Sequence, residues 1–123
     1  MAAFKRFEDI KAWQKARELT RLVYQATVDG RFAKDYGLRD QIQRASVSIM
    51  ANIAEGLGRR SDREFANFLN IARGSASEVQ SHLYGALDLG YIDEPTFSTL
   101  YGLLEEASRM TVALAQHLYG IKQ

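Results

Sequence analysis

The stretch from Arg44 to Ser75, RASVSIMANIAEGLGRRSDREFANFLNIARGS, restricts the fold more than any other part of the chain. Two segments of helical periodicity flank a short turn rich in glycine and arginine. In the first, Ala45, Ile49 and Ile53 recur at the spacing that builds one apolar stripe on a helix. The segment stops at Gly56-Leu57-Gly58, where glycine tolerates the left-handed backbone that ends many helices. The second opens with Ser61-Asp62-Arg63-Glu64, the pattern of a capping box, in which the serine hydroxyl accepts from the Glu64 backbone N–H. Phe65, Phe68 and Ala72 then begin a new stripe. The stretch reads as a helical hairpin with a cationic tip, Arg59, Arg60 and Arg63, against which the remaining helices pack.

Those remaining helices have periodic signatures of their own. A first helix is predicted from Glu8 to Val28, with Ala12, Ala16, Leu19, Val23 and Ala26 in an a/d-like seam. A loop, Gly30–Gly37, follows, with Phe32 and Tyr36 expected to plug the end of the core. The second helix is predicted from Leu38 to Glu55 and the third from Asp62 to Leu89, where Gly90 stops it. Gly74 and Gly85 lie inside the third helix. Each costs roughly 1 kcal/mol against alanine there, which predicts close helix–helix contacts as compensation. The fourth helix begins after Asp93, an N-cap, with Pro95 in the first turn. Its seam, Phe97, Leu100, Leu104, Ala107, Thr111, Leu114, Leu118 and Ile121, keeps a strict 3-4 alternation. No run alternates with period two for long, so strands are not expected. Four long helices with short connections predict an all-α, antiparallel up-down-up-down four-helix bundle, one domain over 1–123. Trp13, Leu22, Tyr24, Leu69, Ile71, Leu103, Met110 and Val112 fall partly outside the seams. Such second stripes suggest subunit contacts.

Composition excludes several functions. The chain has no cysteine, so disulfides and thiolate metal sites are out. Its start, MAAFKRFEDIKAW, lacks the apolar run of a signal peptide, and a cytoplasmic protein is expected. Di-iron bundles place Glu-x-x-His pairs on facing helices. Here His82 follows Val79 and His117 follows Leu114, so no metal or cofactor is expected. Glu105 and Glu106 are adjacent and diverge around a helix. No phosphate-binding glycine loop occurs, and the chain is expected not to be an enzyme.

Charge is more informative by position than in total. Residues 1–60 hold twelve Lys/Arg against seven Asp/Glu, whereas residues 61–123 hold four against eight. Arg17 on the first helix, Arg39 and Arg44 on the second, and Arg59, Arg60 and Arg63 at the tip are candidate phosphate contacts, because guanidinium stays charged and forks onto oxyanions. Beside the apolar stripe of the second helix run Ser48, Asn52 and Glu55. Glu55 lies where the helix dipole disfavours a negative charge, so a cationic partner is expected among Arg59, Arg60 and Arg73. Ser48, Asn52, Glu55 and Arg73 are predicted to form a structural polar cluster at the hairpin. Two functions stay open: an oligomer that binds RNA or DNA, and a protein–protein scaffold that binds no nucleic acid.

The pattern Asn52-Ile53-Ala54-Glu55-Gly56, with Arg59, Ser61, Glu64, Phe65 and Ala72-Arg73-Gly74-Ser75, resembles the four-helix-bundle proteins encoded by intervening sequences in bacterial 23S rRNA genes. FEDIKAWQKARELTRLVY and LDLGYID extend the resemblance over almost the whole chain. Met50 departs from it, standing where many relatives have proline. The resemblance implies an antiparallel four-helix bundle, commonly a homopentamer, with no enzymatic activity attached. It also implies kinship in fold with the accessory protein of diversity-generating retroelements, which binds nucleic acid and a reverse transcriptase. A further protein partner for this chain is therefore also an expectation.

Overall fold

The computed structural model describes residues 4–121, and among them all regular structure is helical. A 3-10 turn at Phe7–Asp9 precedes α1 (Lys11–Ala26). Then come a short α2 (Gly30–Lys34), α3 (Tyr36–Leu57), α4 (Asp62–Asp88) and α5 (Glu94–Ile121).

The first helix is shorter than its periodicity suggests. Ile10 adopts an extended backbone, φ −78° and ψ 118°, between the 3-10 turn and α1. That kink lets the Ile10 side chain bury to 1% exposure, and Phe7 meets the edge of the Trp13 ring at 5.1 Å. At its other end α1 stops at Thr27, whose hydroxyl donates to the Val23 carbonyl at 2.9 Å.

The predicted loop is partly helical. Gly30 takes φ +66°, which a side-chain-bearing residue rarely adopts, and α2 follows at once. Phe32 is buried as expected, but Tyr36 is 65% exposed and plugs nothing. It instead opens α3, two residues earlier than predicted, because Asp35 caps that helix by accepting from the Leu38 N–H at 3.1 Å. Asp35 also accepts from the Tyr91 hydroxyl at 2.9 Å. Arg31 donates to the Leu89 carbonyl at 3.0 Å and lies over the Tyr91 ring at 5.3 Å. Together these contacts clasp α2 to the α4–α5 connection.

Helix α4 ends as a Schellman turn. Gly90 is left-handed at φ +73°; its N–H bonds to Leu87 O at 3.0 Å, and the Tyr91 N–H bonds to Ala86 O at 2.9 Å. Asp93 then caps α5, accepting from the Thr96 N–H at 2.9 Å. Gly56 and Gly58 behave otherwise than predicted. Neither has a positive φ. Gly56 is still helical and is required by space: a Cβ there would lie 2.8 Å from both Phe65 Cδ1 and Phe68 Cβ.

The four long helices pack in a cycle, α1 on α3, α3 on α4, α4 on α5 and α5 on α1. In each adjacent pair residue numbers rise along one helix as they fall along the other. Thr20 donates to Ser46 O and Gln43 to Thr27 Oγ1. Tyr119 donates to Asn67 Oδ1, while Tyr84 meets Phe97 at the opposite end. Lys15 pairs with Glu106 at 3.4 Å, and Leu22 and Ala26 line a hollow with Pro95 and Leu100. The core between them holds Leu19, Ile49, Ile53, Val79, Leu83 and Leu104, each 1% exposed or less. Burying each such side chain contributes about 1.5–3 kcal/mol. Buried Thr111 donates to its own helix at Ala107 O, so its hydroxyl is satisfied.

The α4 stripe is broader than predicted, because α4 packs on both α3 and α5. Leu69, placed outside the seam by spacing, is fully buried; Phe68, placed inside, is half-buried. Trp13 is also buried, whereas Tyr24 and Ile71 remain exposed. The Ile121 side chain lies outside the described residues. Gly85 has Leu38 Cδ2 at 3.9 Å from an added Cβ, an ordinary contact, but nothing lies within 4 Å at Gly74. The close approach expected at Gly74 is therefore absent among the described residues.

Candidate nucleic-acid interface

The hairpin tip is held by main chain and one hydroxyl. The N–H groups of Gly58 and Arg59 bond to Glu55 O and Gly56 O, each at 3.1 Å. Ser61 is extended and its Oγ accepts from the Glu64 N–H at 3.1 Å, so α4 starts where the capping pattern places it. Between these fixed ends the turn carries Arg59 and Arg60, and Arg63 stands in the first turn of α4.

The three tip arginines are not equivalent. Arg59 pairs with Glu55 one turn back, and its guanidinium lies over the Phe68 ring at 4.6 Å. This pair answers the electrostatic problem of Glu55, a carboxylate at the negative end of α3. Arg60 and Arg63 are exposed and form no ion pair with another described residue. The fold adds two basic residues that spacing did not single out. Lys5 and Arg6 line a hollow of about 400 Å³ with Ala54, Leu57 and Gly58, against the end of α3. Arg6 bonds Glu8 at 2.8 Å and holds that carboxyl below its ordinary range; Lys5 is exposed. Their adjacency in sequence was a signal, but only tertiary structure brings them beside the tip.

The other predicted arginines do not join this cluster. Arg39 sits near the start of α3, about 27 Å from Leu57 at the usual rise per residue. It is tied to Asp40, to Ala33 O at 2.9 Å and to the Tyr36 ring at 4.8 Å, so it fastens α2 to α3. Arg17 lies on the flank of α1 over Trp13 at 5.7 Å. Arg44 is exposed midway along α3.

The polar cluster is smaller than predicted. Ser48 and Ser75 share a hydrogen bond of 2.9 Å across α3 and α4. Asn52 donates to Ser48 O at 2.8 Å and to Ser48 Oγ at 2.9 Å. Glu55 is outside the cluster because three further residues of helix turn it toward Arg59. Arg73 is also outside: two residues before Ser75, it points away from α3 and is exposed. Among the described residues no three acidic or histidine side chains converge as a metal site would require. No helix among them is long and apolar enough to cross a membrane.

The family model for the 23S rRNA-intervening sequence protein matches residues 8–113. The chain belongs to that family. A similar solved structure is the 1.70 Å crystal structure of a protein of unknown function from the S23 ribosomal protein family of Bacteroides thetaiotaomicron. It is 25% identical, covers 86% of this chain and 96% of its own, and superposes with a TM-score of 0.79. Curated proteins provide no match. The family match spans α1, α3, α4 and most of α5, so the tip lies within the shared part.

Proposed function

We propose that this family member is a non-enzymatic, homo-oligomeric protein that binds structured RNA, without strict sequence preference, through the basic end of an up-down-up-down four-helix bundle. The observation that carries this reading is the convergence of Lys5, Arg60 and Arg63, all exposed, at one end of the molecule from two distant segments of chain. Arg59 sits among them with its charge partly offset by Glu55. The cyclic packing of four helices with opposed residue order supports the bundle. The family's name ties it to 23S rRNA genes, which makes rRNA the first polyanion to test, and such a partner suits a cytoplasmic location. A monomer patch of this size binds weakly. Several copies, a pentamer in the fullest version, multiply it through effective concentration. Exposed Ile71, on the same helix as the open position at Gly74, supports contact between copies.

The test is filter binding of a structured rRNA fragment across a salt series. Replacing Arg60 and Arg63 together by alanine weakens binding and lowers the slope of log K against log salt by about two. An unchanged slope overturns the tip as the interface. The same Ile71 exposure favours one second reading, a scaffold that binds only protein; absence of salt-sensitive binding in the unaltered protein would select it.

A further inference from the structure

We propose that the outer face where α4 meets α5, at the end opposite the basic tip, is a docking site for an arginine-bearing cationic segment of a partner protein. Three rings from two helices meet there. Tyr84 packs on Phe97 at 5.0 Å and on Tyr101 at 5.7 Å, and Phe97 stacks on Tyr101 at 5.2 Å. Phe97 and Tyr101 are half-buried against the core, and Tyr84 beside them is 50% exposed.

A carboxylate stands one turn from each ring. Asp88 follows Tyr84 on α4, Glu94 precedes Phe97 on α5, and Glu105 follows Tyr101. All three are exposed, and none forms an ion pair with another described residue. The Tyr101 phenol is pushed above its ordinary range by its hydrogen bond with Tyr84, by desolvation and by the charges of Tyr84 and Glu105. The groove runs on between the helices as a hollow of about 600 Å³ past Glu105, Gln80 and Val112. In that hollow Arg109 stands against one carboxylate, Glu105, so the acidic excess lies at the rings, with Asp88 and Glu94.

The occupant is inferred from what this chain does with its other rings. The Phe7–Trp13 pair carries Arg17 at 5.7 Å, and the Phe32–Tyr91 pair carries Arg31 at 5.3 Å. Tyr36 carries Arg39 and Phe68 carries Arg59. The Tyr84–Phe97–Tyr101 cluster is the largest, and no arginine of the described residues lies over it. Its acidic rim attracts a cation, and the half-exposed Tyr84 ring favours a planar, weakly hydrated one. A guanidinium meets both conditions better than an ammonium.

The test uses the full chain and a fluorescently labelled peptide of repeated Arg-Ser-Gly units, with Lys-Ser-Gly and Glu-Ser-Gly repeats as controls, read by anisotropy. The arginine peptide binds, the lysine peptide binds more weakly, and the glutamate peptide does not bind. Tyr84→Ser with Glu105→Gln weakens the arginine peptide about tenfold, whereas Tyr84→Phe keeps the ring and the affinity. Glu94→Gln with Glu105→Gln, confined to exposed carboxylates, repeats the loss without touching packing. Alanine at Arg60 and Arg63 leaves peptide binding unchanged, so this site and the RNA reading fail separately. Equal affinity for arginine and lysine peptides, or no loss in the carboxylate variant, overturns the proposal. A fall in solution mass for Tyr84→Ser also overturns it, assigning the face to a second copy of this chain.

Discussion

A methyl group at position 56 would sit 2.8 Å from two atoms of the facing helix, Phe65 Cδ1 and Phe68 Cβ, and 3.2 Å from Phe65 O. Neither the Phe65 backbone nor a Cβ is the free end of a flexible side chain, so α3 and α4 would have to part. Gly56→Ala should therefore destabilise the protein by about 2 kcal/mol, the cost of overpacking, and lower the urea midpoint without changing the slope. An unchanged midpoint would mean that the hairpin yields without penalty. The residue types at the tip were legible in sequence, but their roles were only partly so. Arg59 was one of three partners expected for Glu55, with Arg60 and Arg73, and the fold selects it, one helical turn away. Gly56 looked like a helix terminator because Gly-x-Gly usually marks one. What it does instead depends on phenylalanines nine and twelve residues away, Phe65 and Phe68, which no local pattern reports. Likewise Arg73 could be assigned to α4 from periodicity, but its direction follows from which neighbour Ser75 faces.

At the scale of the element, α5 was the most legible part of the chain. Leu100, Leu104, Ala107, Thr111 and Leu118 of its predicted seam are all buried, and its cap is Asp93. Thr96, through its hydroxyl and its backbone N–H, holds the Asp93 carboxyl below its ordinary value of 3.8. A depressed folded-state pKa stabilises the fold above the unfolded value, and that stabilisation is lost as pH falls through the folded one. Asp93→Ala should accordingly lower the melting temperature at neutral pH, and the gap from the unaltered protein should close on acidification through the carboxylate range. A gap that persisted at pH below that range would show that the charge is not what stabilises the turn. The elements missed were short ones. Helix α2 has five residues, too few to show a period, and it exists because Phe32 and Arg31 have partners at Tyr91 and Leu89. The kink at Ile10 arises from burial of one side chain, which periodicity smooths over.

For the whole molecule, the open question at Gly74 becomes an experiment. Among the described residues nothing outside the local helix backbone lies within 4 Å of an added Cβ there, so within one subunit Gly74→Ala should raise helix stability by about 1 kcal/mol. If copies meet along α4, the same methyl falls between them. The expected result is retained helicity with a lower mass by light scattering; an undiminished mass with a raised melting temperature would move the contact to another face. The charge asymmetry between the two halves of the chain was visible in sequence. Its spatial sorting was not, since Lys5 and Arg6 reach the tip and Arg39 does not.

The hollow that joins Lys5, Arg6, Phe7 and Glu8 to Gly58, together with the bond from Tyr119 to Asn67, puts both outer stretches of the described chain on the side of the Arg59–Arg63 turn. Any fluorophore or other bulky group attached beside Lys5 or Tyr119 would therefore crowd that side. Surface immobilisation by such a tether would shade the cationic residues and leave the opposite end free. A label carried on an exposed residue midway along α1, such as Glu18, would leave both ends and the α4–α5 groove unobstructed.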